Sequence, residues 1–137
     1  MTERELVDGF ESGTLANDAF HHADHVHVAW VYVGRYGMPE ALARFAAALR
    51  RFAAAKGVPG RYHETITWAY LLLVADRRSA CPGESWDAFA AANPDLLAWR
   101  PSLLDRYYTA ETLWSDRARR RFVFPDRAAA APVTAPP

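Results

Sequence analysis

The feature that most constrains the fold is the spacing of apolar residues, which follows a helical repeat broken by glycine and proline. In residues 22–36, apolar side chains recur every three to four positions, as on one face of a helix. The same spacing is present in residues 39–56 and in residues 62–78, and the first two segments end at Gly37 and Gly57. The alternation of a half-buried strand is missing from the sequence. The pattern therefore predicts three main helices.

Shorter helices are expected on both sides of these three. Residues 3–12 are predicted to form an opening helix that ends near Gly13, and Ser85 is placed to cap the first of several short C-terminal helices. At 137 residues the chain fits one domain. We expect an all-α, single-domain helical bundle over residues 1–126, followed by a disordered, Ala/Pro-rich tail over residues 127–137.

Composition argues against several classes of partner. The 16 basic residues balance the 16 acidic residues, whereas a nucleic-acid-binding protein usually has a basic excess. The longest apolar run, over residues 68–75, is too short to cross a bilayer, and the N-terminus lacks the apolar run of a signal peptide. The single cysteine fits a reducing compartment. We expect a cytoplasmic protein that binds neither nucleic acid nor membrane, and the sequence leaves a homodimer open.

The candidate site residues are histidines, which are concentrated in two short segments. Four of the five histidines lie in residues 21–27, and the fifth, His63, lies at the start of the last main helix. Histidine exchanges a proton near neutral pH and is the commonest metal ligand in proteins. His22 and His25 share one face of their predicted helix. A bundle that brings His63 beside them gathers three imidazoles, with the carboxylate of Glu64 nearby.

Three kinds of site are compatible with this cluster. The first is an acid–base site without a cofactor, and the second is a site in which His22, His25 and His63 bind a divalent metal such as zinc. The metal alternative is weakened because Asp24 and Glu64 are adjacent to histidines, not three or four residues away, and no His-Glu-x-x-His motif is present. The third is a non-catalytic module whose pocket binds a small ligand or a partner.

Two segments resemble the motifs of a widespread bacterial family of small, mostly uncharacterised helical proteins. They read F-x-H-x-x-H-V-x-x-A-W over residues 20–30 and Y-H-E-T-x-T over residues 62–67. The resemblance spans about residues 18–126 and departs at His27, where arginine is expected. The chain is also similar in size and character to small actinobacterial Pictet–Spengler cyclases, which build β-carboline skeletons from a tryptophan-type amine and an aldehyde.

This second similarity implies a mechanism for a small-molecule biosynthetic enzyme with small aromatic amine and aldehyde substrates. The reaction needs an acid that maintains an iminium and a base that removes a proton after ring closure. We expect His63 or Glu64 to act as the acid and His22 or His25 to act as the base, without an organic cofactor. The residues expected to bind the substrate are Trp30, Thr67, Trp68 and Tyr70.

Overall fold

The computed structural model describes residues 1–127, and within this range it is all-helical, without strands, as the sequence predicts. The long helices are α1 (Glu3–Ser12), α2 (His22–Arg35), α3 (Glu40–Ala55) and α4 (Glu64–Ala80). The short helices are α5 (Trp86–Ala92), α6 (Pro94–Leu97), α7 (Ala110–Leu113) and α8 (Asp116–Arg120). Single turns of 3₁₀ helix span Asn17–Ala19, Pro59–Arg61 and Leu103–Arg106. None of the described helices combines the length and apolarity needed to span a membrane.

The long helices pack around α2, which contacts both α3 and α4, while α1 lies against α3. An aromatic cluster fills the space between them. The ring of Phe10 lies 5.2 Å from that of Phe20, 5.5 Å from that of Phe52 and 6.0 Å from that of Phe45. Because apolar area removed from water is the main stabilising contribution to folding, this cluster anchors the bundle.

Local signals in the sequence set the helix ends. Thr2 and Glu5 form a reciprocal capping box at the start of α1, and Ser85 caps α5 as predicted. Helix α1 ends at Gly13, whose backbone is left-handed with φ of 72°. A Cβ atom at this position would lie 2.9 Å from the Cβ of Ala55, so glycine is favoured by both conformation and space.

The C-terminal segments fold back over the bundle, with α8 against α4 and α6 against α2. The hydroxyl of Thr65 donates to the carbonyl of Arg121 at 2.9 Å and accepts from the N–H of Val123 at 3.1 Å. The N–H of Arg127 donates to the carbonyl of Tyr107 at 2.9 Å. The fold therefore includes residue 127, which the sequence assigned to the tail, and the rest of the predicted tail, residues 128–137, lies outside the described residues.

Candidate functional site

A cavity of about 530 Å³ opens where the starts of α2 and α4 meet the end of α3. Its size falls within the usual range for small-molecule sites. His22, His25 and His63 all line it, so the imidazole at the start of α4 shares one cavity with two imidazoles of α2. Most of the remaining wall is apolar and is formed by Phe20, Leu49, Phe52, Ala53, Val58, Ile66, Trp99 and Trp114.

His63 is buried and holds two parts of the fold together. It is the N-cap of α4, where its Nδ1 accepts the N–H of Ile66 at 3.1 Å, and its Nε2 donates to the carbonyl of Leu113 in α7 at 2.6 Å. A backbone amide can only donate and a carbonyl can only accept, so these bonds place the ring proton on Nε2. Burial lowers the pKa of His63, which keeps the ring neutral. Both ring nitrogens are thus committed to backbone groups.

His22, the first residue of α2, has one committed nitrogen. Its Nε2 donates to the carbonyl of Leu96 at 2.9 Å, which ties α2 to α6, and its ring lies 4.7 Å from that of Tyr70 and 5.1 Å from that of Trp99. Burial lowers the pKa of His22, and the bond to Leu96 partly opposes this effect. Within residues 1–127, Nδ1 has no hydrogen-bond partner, so its lone pair is available to a ligand.

His25 is the cavity histidine that the fold leaves unbonded. Its ring stacks on Phe20 with centroids 4.0 Å apart, and neither ring nitrogen hydrogen-bonds to another described residue. Burial, reinforced by the nearby ring of His22, lowers the pKa of His25 to about 4. At neutral pH the ring is therefore an uncharged imidazole with one N–H and one lone pair to offer.

Glu64, which was predicted as a candidate acid, lies outside the cavity lining, because it is rotated by about 100° around the helix axis from its neighbour His63. Its two carboxylate oxygens accept from the guanidinium of Arg50 at 2.8 and 3.0 Å, and the hydroxyl of Tyr62 donates to it at 2.5 Å. Thr67 does line the cavity, and its hydroxyl donates to the carbonyl of His63 at 2.7 Å. Of the two acids predicted for catalysis, one lies outside the cavity and the other is fully hydrogen-bonded.

The two tryptophans predicted to bind the substrate, Trp30 and Trp68, lie outside the cavity. The guanidinium of Arg78 sits 3.8 Å from the ring centroid of Trp30, and Trp68 stacks on Phe122 at 5.2 Å. Neither indole is part of the cavity wall. Both therefore pack between elements of the bundle.

The indoles that do line the cavity are Trp99 and Trp114, which are 40% and 49% exposed. They belong to the C-terminal segments, and no local pattern in the sequence marks them. Tyr70, the remaining predicted binding residue, lies behind the ring of His22, and its hydroxyl is 2.9 Å from that of Ser102. It supports the cavity without lining it.

The two other histidines lie outside the site. His21 is exposed and caps α2, where its backbone N–H donates to the carboxylate of Asp24 at 2.8 Å. His27 stacks on Trp86 with centroids 4.1 Å apart, and its Nε2 lies 2.8 Å from a carboxylate oxygen of Glu3. These contacts give both histidines structural roles.

The donors present do not fit the predicted three-histidine metal site. Among residues 1–127, no three His, Cys, Asp or Glu side chains lie close enough together to hold a metal ion. Both ring nitrogens of His63 are bound to backbone groups, so His63 has no lone pair left for a metal. His22 and His25 each keep a free lone pair, which leaves two imidazoles where a zinc site uses three or four protein ligands.

Cationic side chains complete the cavity. Lys56, Arg61 and Arg119 belong to its lining, whereas none of the lining residues within the described range is acidic. Comparisons with protein-family models, curated proteins and solved structures find no match. What the cavity can do chemically is therefore argued from its own groups. These are the neutral imidazole of His25, the free Nδ1 lone pair of His22, the aromatic walls and the positively charged side chains.

Proposed function

We propose that this protein is a small-molecule biosynthetic enzyme that performs acid–base catalysis with histidine in this cavity. The single observation that carries the proposal is the state of His25. In a histidine with a structural role, the ring nitrogens normally form hydrogen bonds to other groups of the protein, as they do in His63. His25 has none within the described residues, and its ring is held in place by stacking on Phe20. A positioned, neutral and unbonded base in a cavity is typical of a functional group.

The three histidines then have different roles. His25 is the proton acceptor, and the proton that it takes can be returned to a later intermediate, so the same ring serves as base and acid. The free Nδ1 lone pair of His22 orients a substrate N–H or O–H. His63 is a positioning residue, because it fixes the start of α4 against α7. This assignment replaces the predicted pair of His63 or Glu64 as the acid.

The reaction that we propose is a ring closure of the Pictet–Spengler type. An indole ethylamine in its protonated, ammonium form and an aldehyde lose water to form an iminium ion, and the indole carbon attacks the iminium carbon. His25 then removes the proton that remains on that indole carbon, which restores aromaticity. The similarity of the chain to small cyclases supports this choice, as do the flat walls supplied by Phe20, Phe52, Trp99 and Trp114.

The test is product formation from tryptophan or tryptamine and a series of aldehydes, followed by mass spectrometry. The wild-type chain should form the tetrahydro-β-carboline, and His25→Gln should lower kcat by about 10²-fold or more. The matched control is His21→Gln, which changes an exposed histidine at the end of the same helix. Unchanged turnover in His25→Gln contradicts the proposal. Tight binding without turnover assigns the cavity to a ligand-binding module.

A further inference from the structure

The three cations at the cavity have no carboxylate partner among the described residues, unlike five arginines elsewhere in the protein. Arg50 is paired with Glu64, and Arg77 is paired with Asp95 at 2.6 Å. Within residues 1–127, no carboxylate lies within ion-pair distance of the three cavity cations, Lys56, Arg61 and Arg119. In a chain whose charges balance overall, this is a local excess of positive charge around one cavity.

The cations come from three different elements, so the excess is a property of the folded cavity. Lys56 follows α3, and its Nζ lies 5.5 Å from the ring centroid of Phe52. Arg61 ends the 3₁₀ turn before α4. Arg119 comes from α8 and lies 5.8 Å from the ring of Trp114. Two of the three therefore sit beside aromatic walls, which brings positive charge and flat apolar surface together.

A carboxylate is the ligand group that fits this arrangement. Arginine binds carboxylates through parallel hydrogen bonds, and lysine adds a compact positive charge. At the start of α4, the N–H of Ile66 is bonded to the ring of His63 and the N–H of Thr67 to the carbonyl of His63, so these two amides are not available to an anion. The positive charges in the cavity lining are these three side chains, and the rest of the described wall is mainly apolar, which suits an anionic group on a mainly apolar molecule.

We infer that the cavity takes an aromatic monocarboxylate, with its ring between His25 and the tryptophans and its carboxylate at Lys56, Arg61 and Arg119. The inference rests on the proposed function, because it names the substrate class of the same site. An amino acid that retains its carboxylate, such as tryptophan, is then preferred over the corresponding decarboxylated amine. The bound carboxylate also favours protonation of His25, since an anion nearby raises the pKa of an imidazole.

Isothermal titration calorimetry of the full chain with two matched probes tests the inference. Indole-3-acetate carries the charge, and indole-3-acetamide has the same shape without it. We expect the acid to bind about ten-fold more tightly than the amide. Raising the salt concentration to about 0.5 M should weaken the binding of the acid more than that of the amide, because ions screen the attraction between the carboxylate and the cations.

Variants identify the cations responsible. The double variant Lys56→Gln/Arg61→Gln should remove most of the preference for the acid, whereas Arg120→Gln should keep it. Arg120 is exposed on the same helix as Arg119 and does not line the cavity. Circular dichroism verifies that each variant is folded.

The outcomes separate this inference from the proposed function. Equal affinity for acid and amide, or no binding of either, overturns the inference. That result leaves the catalytic proposal standing if His25→Gln still loses turnover of an amine that has no carboxylate. A preference for the acid that survives in the double variant also overturns the inference, because Lys56 and Arg61 then do not bind the carboxylate. Acid preference together with unaffected turnover in His25→Gln supports the inference and contradicts the catalytic proposal.

Discussion

The clearest prediction about stability concerns His63→Ala. This substitution removes the acceptor for the N–H of Ile66, which is the N-cap bond of α4 and is worth about 1 kcal/mol. It also leaves the buried carbonyl of Leu113 without its donor, at a cost of about 1 to 3 kcal/mol. The free energy of unfolding should therefore fall by about 2 to 4 kcal/mol, a large part of the total for a domain of this size.

Urea unfolding followed by circular dichroism at neutral pH measures this change. His63→Asn restores an acceptor at the N-cap without reaching Leu113, so its stability should lie between those of the wild type and His63→Ala. The control is His21→Ala, since His21 is also an N-cap histidine but is exposed, and the contact of its Nδ1 with a carboxylate oxygen of Asp24, at 3.6 Å, lies at the surface and contributes little. A His63→Ala variant as stable as His21→Ala refutes the assignment of His63 as a structural clamp.

Glu64→Gln removes the negative charge that faces Arg50 outside the cavity. Turnover should be retained, while the free energy of unfolding, measured with urea, should fall by about 1 kcal/mol. A variant that loses turnover but keeps its full stability contradicts this prediction. Acidification should destabilise the fold between pH 6.5 and about 4. In this range the unfolded chain binds a proton at His25, whereas the folded protein, in which the pKa of His25 is lowered to about 4, does not. The loss due to His25 is up to about 3 kcal/mol, and His22 and His63 act in the same direction. His25→Leu should therefore lose less stability than the wild type across that window, and equal losses contradict the lowered pKa.

The helices were predictable because their signals are local. Apolar spacing placed the main segments, and Gly13 and Ser85 marked ends that the structure confirms. The start of α4 differs by two residues from the predicted 62–78, because His63 caps the helix from outside. Between the short C-terminal helices, the segment Leu103–Arg106 forms a single 3₁₀ turn, because a stretch of so few residues gains little helical cooperativity.

The sequence indicated which histidines come together, but not which of their ring nitrogens are hydrogen-bonded to the rest of the fold. Helical spacing placed His22 and His25 on one face, and the clustering of histidines suggested that His63 joins them. The groups that decide their chemistry are the carbonyls of Leu96 and Leu113, which lie 74 and 50 residues along the chain from their partners. Such pairings depend on how the C-terminal segments fold back, which periodicity does not encode.

The C-terminal half also supplies cavity residues that the sequence did not single out. Trp99, Trp114 and Arg119 lie in loops and short helices, where apolar or charged side chains carry no periodic pattern. Conversely, Trp30 and Trp68 follow the histidine motifs closely but point to other faces of their helices. Proximity in sequence was a poor guide to the cavity wall, because successive helical residues are rotated by about 100°.

The most direct test of the account is the protonation of the five histidines, followed by ¹⁵N NMR of their side chains between about pH 8 and pH 4. Single histidine replacements assign the signals. We predict that His25 stays neutral until the pH approaches about 4, and that the neutral ring of His63 carries its proton on Nε2. If His25 instead titrates near 6.5 and His63 exchanges between tautomers, both rings are exposed to water and the shared cavity does not exist as described.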